Sequence, residues 1–330
     1  MHGKRLPQVG RIEINVIEES NPRLQAFERG DLDYISVPND VATSVLGPGT
    51  QLAPRFTAAH VHLARGVQPS IAYTYFNMED PLVGGYTREK VALRRAIGMA
   101  YNNEEEIRVL RLGNALPATQ PIPPGVSGHD AAFDGRGNYD PAGARALLDK
   151  FGYVDRDGDG WRDLPDGKPL VVRLGFTPSA NERPYLELWQ RSLKAVGIRM
   201  DVVTQKFPDL LKMARSGQLM MWTLANTNTP TDGYGFLGLL YGGHAGLSNL
   251  ARFKLPEFDA LYDQSRALPD GAARTALFRR MSALVAAYSP WILEAYRIEN
   301  VVVYPWIEGY KYNAFNAHPW QYYDVNTTMP

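Results

Sequence analysis

The chain has 330 residues, enough for two or three domains with sizeable cores. Lys plus Arg and Asp plus Glu each number 35, for a formal net charge of +0, and the basic residues are scattered. That excludes the basic footprint of a nucleic-acid or anionic-membrane binder, and the absence of cysteine excludes thiol catalysis, zinc-thiolate sites and disulfides.

No apolar run approaches the length of a membrane span, and the opening MHGKRLPQVGRIEINV has no apolar core of a secretory signal. The 18 Tyr and 6 Trp suit a site that grips organic ligands by their flat faces. In chain order, the alternation of RIEINVI (11–17) predicts a half-buried strand. SNPRLQAFERG predicts a helix, with Ser20 and Asn21 as cap candidates, Pro22 near its first turn and Gly30 at its exit. LDYISVP predicts a second strand. The three make a β-α-β unit that lacks the rest of a domain. His60 and His62, two apart on an expected strand, could face one side; with no third ligand nearby they read as ordinary strand histidines.

SIAYTYFNM (70–78) predicts a strand, and 87–113 a helix interrupted at NNEEE, followed by a proline-rich loop, LPATQPIPPGVSG. YDPAGARALLDKFGY is a helix capped by Asp140, with Pro141 in its first turn and Gly152 as its stop. Then strands and helices alternate: KPLVVRLGF, NERPYLELWQRSLKAVG, IRMDVVTQ, FPDLLKMARSG and QLMMWTLA. Such alternation predicts parallel crossovers in an α/β domain. Two helices follow, about 256–268 and 270–288, and the ending WILEAYRIENVVVYPWIEGY is strand-like.

Between these elements, DRDGDGWRDLPDG (155–167) places Asp155, Asp157, Asp159, Gly160, Asp163 and Asp166 at positions of an EF-hand loop. The closing residue is Asp rather than Glu, Pro165 precedes it, and a strand follows. A tight turn around a short WRD strand is therefore expected, with no metal site. No P-loop, G-x-G-x-x-G, H-E-x-x-H or G-x-S-x-G occurs, and no carboxylate pair is set up for acid–base work. Nothing points to an enzyme or to a cofactor.

Four segments in order carry a family likeness. YFNMEDPLVGGYTREKVALRRAIGMAYNNEEEI resembles a segment ending VRxAIxxAxDRxxI, with Asn102–Asn103 where Asp-Arg is usual. NYDPAGARALLDKFGY is similar to YDPxxAKxLLxxAGY, DRDGDGWRDLPDGKPLVVRL to DGDGxxxxxDGKPL, and GLSNLARFKLPEFDALYDQSRA to NxxxYxxPxxDxLxxxA. On these motifs, covering about 18–323, the chain resembles the extracytoplasmic solute-binding proteins of peptide, nickel and opine-type ABC importers.

The resemblance implies a type II periplasmic-binding-protein-like, two-lobed α/β fold. It implies a partial lobe one at 1–77 with a return at 298–330, and a whole lobe two at 78–297. The family is longer and begins with a signal peptide, so a C-terminal portion of an extracytoplasmic protein is expected. Its partners would be a peptide-like or small organic ligand and the importer's permease, with the protein a monomer and no nucleic acid involved. An enzyme or a sensor on the same scaffold is the alternative. Hinge closure around the ligand is implied, with AYTYFNM and EAYRIENV as the crossings. Tyr75, Asn77, Glu294 and Tyr296 beside them are cleft or hinge candidates, or else plain strand residues.

WTLANTNTPTDGYGFL resembles the family's cleft-lining WxxDxxDP segment, and ligands of open α/β sheets bind beyond the carboxyl ends of strands. Trp222, Asn226, Asn228, Asp232 and Tyr234 are the expected ligand residues; Trp222 is alternatively core. In peptide binders an Asp shortly after this Trp holds the ligand's amine. Here Ala225 or Asn226 takes that place, so a ligand without a free amine at this point is expected.

Overall fold

The computed structural model describes residues 5–47, 50–179, 181–227, 231–316 and 318–328. In chain order the helices are α1 (Ser20–Glu28), α2 (Ala42–Val45), α3 (Pro54–Ala58), α4 (Arg88–Ala100), α5 (Asn103–Glu105), α6 (Pro141–Lys150) and α7 (Arg183–Lys194). They continue with α8 (Phe207–Arg215), α9 (Tyr234–Leu237), α10 (Pro256–Arg266) and α11 (Ala272–Tyr288). The strands are β1 (Tyr34–Ser36), β2 (His62–Phe76), β3 (Ala115–Pro117), β4 (Val171–Phe176), β5 (Arg199–Thr204), β6 (Met221–Thr227), β7 (Trp291–Val303), β8 (Ile307–Glu308) and β9 (Asp324–Val325). The chain divides into two compact units, one of Met1–Gln68, Arg111–Ala115 and Arg297–Pro330, the other of Pro69–Leu110 and Leu116–Tyr296.

In the first unit, α1 ends on Gly30, whose φ of 80° lets Gly30 N–H reach Phe27 O and Asp31 N–H reach Ala26 O. These close the helix's last free carbonyls. Phe27 is fully buried and lies 4.5 Å, centroid to centroid, from the Tyr304 ring, whose hydroxyl donates to Phe27 O at 2.8 Å. Leu24, Ile35, Val45, Phe56 and Val302 complete that core. β1 pairs antiparallel with the end of β7, Tyr34 opposite Val303.

The strand expected at 11–17 does not form. Ile12, Ile14 and Val16 are 47%, 69% and 86% exposed, and the segment has no ladder among the described residues. Alternation specifies a strand only where a neighbouring strand supplies hydrogen bonds and a core face, and neither meets this segment. His60 also departs from expectation: it sits in the turn before β2 with a φ of 55°, so it does not share a strand face with His62.

In the second unit the strand order is β7-β2-β6-β4-β5. β4 runs parallel to both β5 and β6, as the strand–helix alternation predicts, while β2 is antiparallel to β6. Val172, Leu174, Met221 and Phe76 share a core with Leu93 and Ile97 of α4, Leu148 of α6, and Leu188, Trp189 and Leu193 of α7. Arg94 of α4 is fully buried and spends its guanidinium on four carbonyls, Val83, Gly85, Tyr288 and Ser289. It thereby ties the middle of α4 to the loop before it and to the end of α11. Asp140 caps α6 by accepting from Gly143 N–H at 2.8 Å.

The Asp-rich stretch is a turn. Asp155 accepts from Gly158 and Gly160 N–H, Asp157 from Asp159 N–H and Asp159 from Trp161 N–H. The expected WRD strand shrinks to one bridge, Asp163 opposite Pro169. The carboxylates of Asp155, Asp157 and Asp159 lie within 4.8 Å of one another and are exposed, and Asp159 is also paired with Arg199 at 2.8 Å.

Candidate functional site

The parallel strands β4 and β5 end level, Phe176 opposite Thr204, whereas β6 runs on past them along β2 to Thr227, and the space at its end holds a cavity of about 320 Å³. Its walls are Asn226 and Thr227 of β6, Gly235, Phe236, Gly238 and Leu239 in and after α9, His244 and Ser248 in the following loop, and Tyr262 of α10. All of them belong to the second unit.

Side-chain periodicity explains the frame. In the β2–β6 ladder Ile71 faces Asn226, Tyr73 faces Leu224 and Tyr75 faces Trp222, so these six share one side of the sheet. Asn226 Nδ2 donates to Tyr73 Oη at 2.7 Å, and the Tyr73 ring stacks on Trp291 at 3.7 Å. That fixes the amide at the cavity wall, and burial pushes the Tyr73 hydroxyl's pKa upward. Asp232 positions the other wall. It accepts from Tyr234 N–H and is paired with Arg274 at 2.8 Å, while Ser127 N–H donates to Thr231 O and Gly233 N–H to Ser127 O. Tyr262 stacks between Tyr234, 4.2 Å away, and Tyr241, 4.5 Å away. A Cβ at Gly238 would stand 2.6 Å from Tyr262 Oη, so only glycine lets helix and ring approach this closely.

Of the residues expected from sequence, Asn226 lines the cavity. Asp232 and Tyr234 stand behind its wall, the first committed to Arg274 and the second stacked on Tyr262. Trp222 is buried under Phe207, 5.3 Å away, which itself is half exposed at the start of α8. Tyr75 is fully buried, and its hydroxyl has no hydrogen-bond partner among the described residues. Asn77 is buried, donating to Gly217 O and accepting from Glu79 N–H. Asn228 lies outside the described residues.

Glu294 and Tyr296 lie at the point where β7 leaves the second unit. Glu294 is buried on the opposite side of the sheet and accepts from Thr74 Oγ1 at 2.6 Å, with Thr223 2.5 Å from that hydroxyl. Tyr296 Oη receives Thr119 and Gln120 N–H and donates to Gln120 O at 2.7 Å, pinning the proline-rich loop.

Sequence reading missed His244, Tyr262, Phe236, Leu239 and Ser248. Their only local signal is GGHAG, a histidine among glycines: at Gly242 any Cβ would collide with the Asp259 carboxylate, which accepts from Gly242 N–H.

A family model for bacterial extracellular solute-binding proteins, family 5 (middle region), matches residues 2–247. The chain belongs to that family. Heme-binding protein A of Haemophilus influenzae is 26% identical over 309 residues, covering 92% of this chain and 52% of the relative. Di/tripeptide-binding protein 2 of Pseudomonas aeruginosa is 24% identical over 318 residues, covering 95% of this chain and 55% of the relative. NikA from Brucella suis, solved in complex with Fe(III)-EDTA, superposes with a TM-score of 0.77 at 20% identity, covering 95% of this chain and 61% of that one.

The fold is therefore the α/β, two-lobed type of periplasmic binding proteins, and this family 5 chain spans about half the length of the curated relatives it matches. The family consists of transport solute-binding proteins rather than enzymes. No helix among the described residues of this member is long and apolar enough to cross a membrane.

Proposed function

We propose that this family 5 chain belongs to the substrate-binding component of an ABC importer, capturing a peptide-like or other small organic solute outside the cytoplasm and presenting it to permease subunits. The observation that carries the reading is the cavity at the carboxyl end of β6, where an α/β sheet holds its ligands. Asn226 supplies an oriented amide, Tyr262 and Phe236 supply aromatic surface, and Asp232 with Tyr234 hold the wall in place. In this reading the second unit is lobe two, the first unit belongs to lobe one, and the protein acts as a monomer without nucleic acid. Glu294 and Tyr296 then lie at a crossing strand about which closure turns. The relatives named for heme and for di- and tripeptides support a small organic solute.

A ligand that binds only the folded state raises the melting temperature in proportion to the logarithm of its concentration. A thermal-shift screen of di- to pentapeptides, their N-acetylated forms, haem and metal chelates is expected to return at least one class that stabilises the chain by several degrees. That stabilisation should fall away in Asn226→Ala. No stabilising compound in any class would contradict the reading.

A further inference from the structure

His244 is held in one orientation at the cavity wall. Its Nδ1 lies 2.9 Å from Gly238 O, and a carbonyl only accepts, so Nδ1 carries the proton. The ring packs edge-on against Tyr241 at 5.0 Å and 82°, and against Tyr262 at 6.3 Å and 80°. In the neutral ring this leaves the Nε2 lone pair, which has no hydrogen bond to any described residue. With His244 the cavity wall carries the Asn226 amide, the hydroxyl residues Thr227 and Ser248, and Phe236, Leu239 and Tyr262, and among the described residues no carboxylate, lysine or arginine lines it. The carboxylate that fixes the wall, Asp232, is already matched by Arg274 and by Tyr234 N–H. A cavity of about 320 Å³ is small for a ligand site, so it takes one end of a solute rather than the whole of a long one.

We propose that this pocket recognises an uncharged hydrogen-bond donor, an amide N–H or a hydroxyl carried beside an apolar or aromatic group, through His244 Nε2, and that it discriminates against a free ammonium or carboxylate. The proposal rests on reading the cavity as the ligand site. An ammonium would enter with no counter-charge and lose its water, and a carboxylate would find no cation among the lining residues to offset the loss of its own. A neutral amide meets an acceptor held in one orientation and lying next to aromatic surface.

The test uses the whole chain, isotope-labelled, with three probes that share a phenethyl group: N-acetylphenethylamine, phenethylammonium and 3-phenylpropionate, titrated at pH 8. Probes of this size, filling one end of a site, are expected to bind weakly, and chemical-shift titration reads weak binding directly. The expected result is that the neutral amide moves the ring signals of His244 and Tyr262 and binds at least about tenfold more tightly than either charged probe. His244→Phe keeps an edge-on ring and removes the acceptor, and in a variant that keeps the parent's spectral dispersion it should lose about tenfold for the amide alone. The comparison of probes on the unmodified chain stands whether or not that variant folds. A charged probe binding as tightly as the amide, or an amide affinity unchanged in folded His244→Phe, overturns the recognition mode and leaves the cavity reading standing. If none of the three moves a signal from the cavity wall, both fall.

Discussion

Tyr262 is the contact on which the cavity wall turns, because it carries Tyr234 on one face and Tyr241 on the other and meets the backbone of Gly238 with its hydroxyl. Gly238→Ala forces the ring or α9 to move, an overpacking change of about 1–3 kcal/mol. The expected outcome is a lower melting temperature together with loss of any ligand-induced stabilisation; a variant that binds and melts like the parent would show that the close approach does not matter. Glu79 supplies a test by pH. Hydrogen bonds from Lys254 and then Arg252, at 2.6 and 2.5 Å, hold its carboxyl below the usual carboxylate range. A depressed folded pKa gives stability that is present above the unfolded value and lost as pH falls through the folded one. The contribution is small, since the side chain is 42% exposed and solvent screens it. Melting temperature followed down through the acid range should therefore fall less steeply in Glu79→Gln than in the parent. Superimposable profiles would mean that the pair adds nothing.

At the scale of elements, the Asp155–Gly167 turn separates a spacing motif from a site. Its carboxylates are spent on its own backbone N–H groups, and it leads into β4 rather than a second helix. Calcium below millimolar concentration should leave the melting temperature where it was; a rise of several degrees abolished by Asp157→Ala would contradict the turn. Elements that carry their own punctuation are legible in the amino-acid sequence: α6 between Asp140 and Gly152, α1 ending at Gly30, and the parallel β4–β5–β6 set with α7 and α8 between them. The failure at 11–17 has a physical cause, because alternation marks a segment able to form a strand and says nothing of a partner. The cavity is half legible. Asn226 sits at a strand end that topology singles out, whereas His244 and Tyr262 reach it from a loop and a helix well along the chain, and no local period encodes that meeting. Trp222, expected as a ligand contact or as core, and Asn77, expected at the cleft or hinge or as a plain strand residue, occupy buried positions with packing and hydrogen bonds of their own.

At the scale of the whole molecule, the chain is a family 5 member whose matched relatives are about twice its length, and its second unit carries the cavity. β2 and β7 each pass from one unit into the other, β2 at Gln68–Pro69 and β7 at Tyr296–Arg297. The central claim is that a solute binds at the end of β6. Hydrogen–deuterium exchange of the chain, with and without a stabilising compound from the peptide, haem and chelate screen, tests it most directly, because ligand contacts slow local opening. The account predicts slowed exchange at 224–227 and 234–248, with 155–167 unchanged. Protection confined to other segments, with these two exchanging as in the free chain, would contradict it.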